Sequence, residues 1–498
     1  MITLGYDIGS SSVKGTLYDV ESGNEIASSF YPKHEMKIDS PQRSWAEQNP
    51  MVWWESIKAV TAELLKASGK NSSDIKAIGI SYQMHGLVIT DKNNEVLRPS
   101  IIWCDSRAVE IGNDAFNKIG QQKCLNSLLN SPGNFTASKL AWVKQNEPGV
   151  YSKINKAMLP GDFIAMMLTG ETRTTLSGLS EGIFWDFEKD EKSETILSHY
   201  GFDKSILADI VPTFGLQGEV NAWAAAETGL KAGTPVTYRA GDQPNNAFSL
   251  NVLNPGEVAA TAGTSGVVYG ISDTLKYDNL NRVNTFAHVN HSQKDKRLGI
   301  LLCINGTGIS NSWIRKTVFD QNFSYKEMDR LSETINIGSD GAVFLPFGNG
   351  AERMLQNTEL GAGFSGVNFN LHEKAHLVRA MFEGIGFSFI YGMEIMQNLG
   401  VNPKIIRAGK DNMFLSPVFR KTIASISGAE IQLYNTNGAL GAARAAAYGA
   451  GFYSSLKDAF ENLKCLETVY PDMPKKNEYI DAYKKWKNEL EIKLTNRR

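Results

Sequence analysis

A chain of 498 residues, 42% hydrophobic and 21% charged, is an ordinary globular protein too long for one hydrophobic core, and two domains is the simpler reading. Its 51 Lys and Arg balance 53 Asp and Glu, so there is no broad basic field and nucleic acid is excluded as a partner. No apolar run is long enough to span a membrane.

The chain runs straight into the strand pattern Ile2-Thr3-Leu4-Gly5-Tyr6, with no basic segment, apolar signal core or cleavage site. Scattered Cys104, Cys124, Cys303 and Cys465 form no Cys-x-x-Cys pair, which speaks against a disulfide framework or zinc site and for reduced thiols in the cytoplasm. The first strand ends at Asp7, and Gly9-Ser10-Ser11-Ser12 turns the chain into a second. Backbone N–H groups of such a turn, with Ser hydroxyls, can cradle phosphate, although a plain hairpin is the commoner meaning. A carboxylate at the end of an apolar strand needs a hydrogen bond or a cation, so Asp7 can hold a hydrated Mg²⁺ or cap its own turn.

Asn49 as cap, Pro50 in the first turn, Trp53, Ile57, Val60 and Leu64 at helical spacing and Gly69 beyond the end predict a helix. Ala77–Ser81 then reads as a buried strand, which puts Gln83-Met84-His85-Gly86 past its C-terminal end, where open α/β sheets place ligands. His85 can hydrogen-bond a sugar hydroxyl while Met84 packs on the C–H face, or can be a structural histidine. Asp105 and Arg107 can bind polyol hydroxyls or pair with each other, and Trp103 offers an apolar wall. Asp242 follows a short apolar run and precedes a helix: it can take the proton of an attacking hydroxyl or cap the helix.

Asn254-Pro255-Gly256 breaks the pattern, which places a boundary near Leu250 to Pro255 and domains at 1–250 and 251–498. The hairpin-like run Glu257–Ser272 repeats the opening, with Gly263-Thr264-Ser265-Gly266 about half the chain beyond Gly9, and two related lobes follow. A long helix from about Glu373 to Leu399 is closed by Gly400. The basic stretch Lys484 to Arg498, with Trp486, Leu490 and Leu494 at helical spacing, reads as an amphipathic helix with a solvated face. Short strands alternating with helices throughout make the fold class α/β.

In order, these segments resemble the FGGY carbohydrate kinases, and among them the xylulokinase branch, over nearly the whole chain. Asp7 to Lys14 is similar to the first phosphate motif, and Trp45-Ala46-Glu47-Gln48-Asn49-Pro50 with Trp53-Trp54 to the Ala-Glu-Gln-Asp-Pro…Trp-Trp signature. Gln83 to Gly86 and Trp103 to Arg107 resemble elements of xylulose kinases, Ala240-Gly241-Asp242 the catalytic-aspartate segment, and Gly263 to Gly266 the second phosphate motif. Glu352-Arg353, Arg379 to Gly384 and Gly441 to Arg444 match later family elements.

The resemblance implies two actin-like, ribonuclease-H-like lobes with a nucleotide and sugar cleft between them, closing on substrate. It implies ATP- and Mg²⁺-dependent phosphorylation of a small ketose, D-xylulose foremost, with sugar and ATP as partners and a homodimer left open. By carry-over Asp242 is the base and shares Mg²⁺ with Asp7, and Gln83, Met84, His85, Trp103, Asp105 and Asp242 contact the sugar. Ser10, Ser11, Ser12 and Lys14 in one lobe, and Gly263, Thr264, Ser265, Gly306, Thr307, Gly409 and Asn412 in the other, hold the nucleotide. Two departures stand out. Ala408 to Phe414 replaces the family's Gly-Gly-Gly-Ala loop, which leaves adenine to side chains such as Asn412 or to a looser hold. Gln243-Pro244 after Asp242 is a glycerol-kinase-like feature that keeps L-ribulose, glycerol and other polyols open. An actin- or Hsp70-like switch ATPase would share the phosphate turns but has no use for the elements at 83–86 and 103–107.

Overall fold

The alternating strand Ile2–Ile8 and the buried run Ile75–Tyr82 are parallel neighbours at the centre of a six-stranded sheet. Its order is Phe214–Glu219, Pro235–Gly241, Ile75–Tyr82, Ile2–Ile8, Val13–Asp19, Asn24–Tyr31. Alternation sends side chains to opposite faces. Tyr6 reaches Thr61 of the helix Pro50–Ser68, hydroxyl to hydroxyl at 2.5 Å, while Thr3 donates to Ala443 O of the helix Gly438–Gly449 at 2.8 Å. The first helix starts as its sequence requires: Asn49 Oδ1 accepts from Met51 N at 3.0 Å, and Gly69 ends it in the left-handed region at φ 64°. The second helix lies so close to the sheet that a Cβ on Gly5 would fall 2.0 Å from Ala439 O and one on Gly79 2.1 Å from Ala442 O.

A computed structural model describes residues 1–319 and 322–496 of the chain; Arg497 and Arg498 of the basic C-terminal stretch lie outside the described residues. The chain forms two compact units, one of Met1–Asn251, Phe286–Leu298 and Thr436–Leu463, the other of Val252–Thr285, Gly299–Asn435 and Lys464–Arg498. It passes between them at Asn251–Val252 and returns to the first for Gly438–Gly449, the helix that sets Ala439, Ala442, Ala443 and Ala446 against Gly5 and Gly79.

The second unit is built on a seven-stranded sheet ordered Asn284–Ala287, Leu298–Ile304, Gly266–Ser272, Val258–Ala262, Ile405–Gly409, Glu430–Tyr434, Cys465–Val469. Its central five strands repeat the order of the first sheet: a hairpin, a third strand beside it, then two parallel strands on the other side. Each unit is thus an actin-like, ribonuclease-H-like α/β fold. The long helix Lys374–Gln397 runs through the second core, and the C-terminal helix Lys476–Thr495 buries Trp486 and Leu490, with Trp486 Nε1 donating to Phe344 O at 2.9 Å. Among the described residues no helix is long and apolar enough to cross a membrane.

Candidate active site

In the first unit the C-terminal ends of three adjacent strands, Ile2–Ile8, Ile75–Tyr82 and Pro235–Gly241, bring Asp7, Gln83 and Asp242 to one edge of the sheet. Asp7 Oδ1 accepts from Ser81 Oγ at 2.8 Å. Its other oxygen faces the start of Gly438–Gly449, where a Cβ on Gly438 would sit 2.5 Å from Oδ2, so the carboxylate rests on the positive end of a helix that only glycine can begin. Asp242 is the first residue of the helix Asp242–Ser249 and is half-buried. Burial, reinforced by the charge of Asp7 and opposed by hydrogen bonds from Gln243, pushes its carboxyl up to about 7. The group therefore exchanges its proton near neutrality, as a general base should.

The loop past the central strand is held by its backbone. Gln83 N donates to Ile8 O at 2.8 Å, while the buried Gln83 Oε1 has no hydrogen-bond partner. Met84 closes over Gly241, where a Cβ would fall 2.6 Å from both Met84 Cγ and Glu181 Oε2. His85 takes φ 62° and is pinned there: its carbonyl accepts from Lys139 Nζ at 2.8 Å and its ring packs on Phe135 and Phe286. Nδ1 lies 3.0 Å from the carbonyl oxygen of Glu181 and so carries a proton toward it. Trp103 is half exposed and its indole N–H donates to Ser10 Oγ at 3.3 Å, which ties the apolar wall to the first glycine turn. That turn is closed by Gly9 N to Ser12 O at 3.1 Å; Ser11 and Lys14 are exposed, and Lys14 stands opposite Asp7 in the hairpin register.

Asp105 is not available to a sugar. It is fully buried, with both oxygens spent on the Arg107 guanidinium (Nη2 at 2.7 Å) and on the backbone N–H groups of Ala46 and Arg107. Arg107 in turn reaches Glu47 at 2.7 Å and stacks 3.8 Å from the Trp45 ring, so the pair is a structural knot behind the loop. Two residues without a sequence motif do belong here. Lys139, fully buried, holds the His85 and Ile102 carbonyls, and burial brings its ammonium down to about 7. Glu181, whose carboxyl burial raises well above the usual range, lies under Gly241 beside the Tyr82 hydroxyl. Both sit in short helices where Lys and Glu read as solvated; only their tertiary burial marks them.

In the second unit the turn Gly263 to Gly266 is braced by the helix Gly308–Val318: Gly308 N donates to Gly263 O at 2.9 Å and Ile309 N to Thr264 O at 3.1 Å. Beside the turn opens a pocket of about 760 Å³, with Gly263, Thr264, Gly308, Asn311, Asp329 and Asn412 in its wall. Thr264 and Ser265 are exposed at the tip. Asn412 adopts φ 46°, a conformation that glycine or asparagine tolerates, in the stretch where the family loop is glycine-rich. Gly409 ends its strand with Lys410 N donating to Tyr434 O at 2.9 Å. Gly306 and Thr307, expected at the nucleotide, instead support the turn from below. A Cβ on Gly306 would lie 1.5 Å from Pro346 O, and buried Thr307 donates to Ile304 O at 3.0 Å. Glu352, buried and pushed up to about 7, accepts from Asn305 N at 3.0 Å and anchors the same segment.

A carboxylate poised near neutrality at the strand ends of one unit and a pocket beside a glycine turn in the other define an actin-like phosphotransferase, specifically a carbohydrate kinase. Residues 2–249 match the N-terminal domain of the FGGY family of carbohydrate kinases and residues 258–450 the C-terminal domain. The chain belongs to that family, and ATP use follows from it. It is 29% identical to a xylulose kinase of Lactococcus lactis, covering 97% of this chain and 95% of that protein. The crystal structure of xylulose kinase from Rhodospirillum rubrum superposes with a TM-score of 0.88 at 26% identity, covering 98% of each chain. A gluconate kinase from Lactobacillus acidophilus superposes as well, with a TM-score of 0.90 at 21% identity over 99% of each chain, so the fold alone does not select the acceptor.

Proposed function

We propose that this chain transfers the γ-phosphoryl group of ATP to a hydroxyl of a small ketose, D-xylulose foremost, in the cytoplasm. The reading rests on Asp242: a carboxyl raised to about 7, beside Asp7 and next to the Met84–His85 loop, is a base matched to an alcohol. Relatives named xylulose kinase and the Gln83 to Gly86 element favour a ketopentose.

Gln83 Oε1 would accept from a sugar hydroxyl and His85 would contact the sugar, with Met84 and Trp103 as apolar walls. Asp242 takes the proton of the attacking hydroxyl as its oxygen bonds to the γ-phosphorus, and ADP leaves. Ser10, Ser11, Ser12 and Lys14 in one unit, and Gly263, Thr264 and Ser265 in the other, would donate to phosphate oxygens. The like-charged pair Asp7 and Asp242 fits Mg²⁺, which uses one or two carboxylates plus phosphates and water rather than a dedicated cage. Bound there, the ion would relieve that repulsion and offset phosphate charge.

Coupled ADP release over D-xylulose, L-ribulose, glycerol and gluconate tests the reading. Turnover should be greatest with D-xylulose and fall about 10²- to 10⁴-fold in Asp242→Asn. Strong turnover on glycerol with none on D-xylulose would reject the substrate, and ATP turnover indifferent to every sugar would reject the kinase.

A further inference from the structure

One buried amide joins the sugar loop of the first unit to its glycine turn. Gln48, in the short strand Glu47–Gln48, is 3% exposed and out of reach of a substrate. Its oxygen accepts from the indole N–H of Trp53 at 3.2 Å, and because indole can only donate, that bond fixes which end of the amide is oxygen. The nitrogen end then donates to Ser10 O at 2.7 Å and to Lys37 O at 3.3 Å. Gln83, also buried, adds a longer bond from its Nε2 to the same Gln48 oxygen at 3.5 Å. The nitrogen of Gln83 is thereby turned toward Gln48, and Oε1 is the end left for a sugar hydroxyl.

The bond to Ser10 also aims the glycine turn. The carbonyl and the N–H of one trans peptide point in opposite directions. With Ser10 O drawn inward by Gln48, the N–H of Ser11 in the same peptide points outward; buried Met36 draws Ser11 O inward at 2.8 Å, and the N–H of Ser12 follows. Successive outward N–H groups beside the exposed Ser11 form the kind of concavity that takes phosphate oxygens. Three amides therefore run head to tail, the Gln83 side chain, the Gln48 side chain and the Ser10–Ser11 peptide, each accepting at oxygen and donating at nitrogen to the next. Hydrogen bonds in such a chain polarise one another, strengthening by about 10–30% per bond.

We propose that Gln48 is a positioning residue that couples the two substrates: a sugar hydroxyl donating to Gln83 Oε1 makes the Ser11 N–H a better donor to phosphate, and phosphate held there tightens the grip on the sugar. The inference rests on the reading that Gln83 meets the sugar and the Gly9 to Ser12 turn meets the nucleotide's phosphates. By linkage the coupling factor is the same in both directions. Gln48 touches neither substrate and acts only through Gln83 and the Ser10–Ser11 peptide.

Equilibrium binding to the full-length protein tests it, with the non-hydrolysable ATP analogue AMP-PNP and Mg²⁺ titrated in the presence and absence of D-xylulose, and D-xylulose with and without the analogue. In the unaltered protein each ligand should tighten the other by roughly threefold or more. Gln48→Met, which keeps the volume but neither amide group, should lower that factor by about twofold or more, and so should Gln48→Asn, whose shorter amide breaks the chain with less disturbance of Trp53. Gln83→Met should lower it equally, and adding Gln48→Met to Gln83→Met should lower it no further, since the chain is already cut. A merely structural Gln48 would weaken each ligand alone and leave the factor as it was. A factor unmoved in both Gln48 variants, or losses that add in the double variant, overturns the proposal while leaving the kinase reading standing. Failure of the unaltered protein to bind either ligand overturns both.

Discussion

Replacing Asp242 by Asn should cut turnover about 10²- to 10⁴-fold and yet stabilise the folded chain at alkaline pH. A carboxyl whose ordinary value is 3.8 and whose folded value is about 7 keeps its proton in the folded state while the unfolded chain has already lost it. The unfolded state then binds fewer protons, so stability falls as pH rises, by about 1.36 kcal/mol per pH unit between those two values, and levels off above about 7. The full span is about 4 kcal/mol; relaxation around the half-buried group reduces it to about 2–3 kcal/mol. Asn cannot ionise and escapes the penalty. Thermal or urea unfolding of both proteins, free of nucleotide and Mg²⁺, should give nearly equal stability at pH 4.5 and a variant more stable at pH 8, by roughly 5 °C in Tm. Other titrating groups cancel in the difference. A gap that stays flat with pH, or a variant weaker at pH 8, would refute the claim that Asp242 is held protonated by burial and by Asp7.

Three further outcomes follow from the packing. Gly5→Ala forces a Cβ to 2.0 Å from Ala439 O; the displaced helix should cost at least about 1–3 kcal/mol in urea unfolding and, by drawing the helix start away from Asp7, lower kcat. Lys139→Met leaves the His85 and Ile102 carbonyls unpaired, and the KM for sugar should rise about tenfold with the KM for ATP unchanged. Asp105→Asn breaks a buried ion pair, so the loss should appear as about 3–5 kcal/mol of stability in a denaturation curve, while the KM for sugar of the folded fraction stays near that of the parent.

The elements written into local sequence were legible. Asn49, Pro50 and Gly69 bound a helix because caps act within one turn, and both glycine turns are hairpins because their strands are adjacent in sequence. Asp7, Gln83 and Asp242 could be placed because the ends of parallel strands gather at one sheet edge. What sequence left open was decided by neighbours far along the chain. Asp105 and Arg107 read equally as sugar contacts or as an ion pair until Ala46 and Glu47 were seen closing on them. Thr307 was expected at the nucleotide from the family resemblance, but its hydroxyl is spent on Ile304. Lys139 and Glu181 gave no signal, since a charged residue in a helix is solvated unless the rest of the fold covers it.

The helix that rests on Gly5 and Gly79 comes from residues 438 to 449, beyond most of the second unit in the chain. A ribosome delivers residues in order, and domains usually mature as they emerge, N-terminal first. Here the first unit cannot finish early: one flank of its sheet waits for a segment made after most of the second unit, and the carboxylate at position 7 acquires its helix end only then. A chain stopping before Asn437 would expose the small-residue faces of those strands and leave the carboxylate of Asp7 without its helix end.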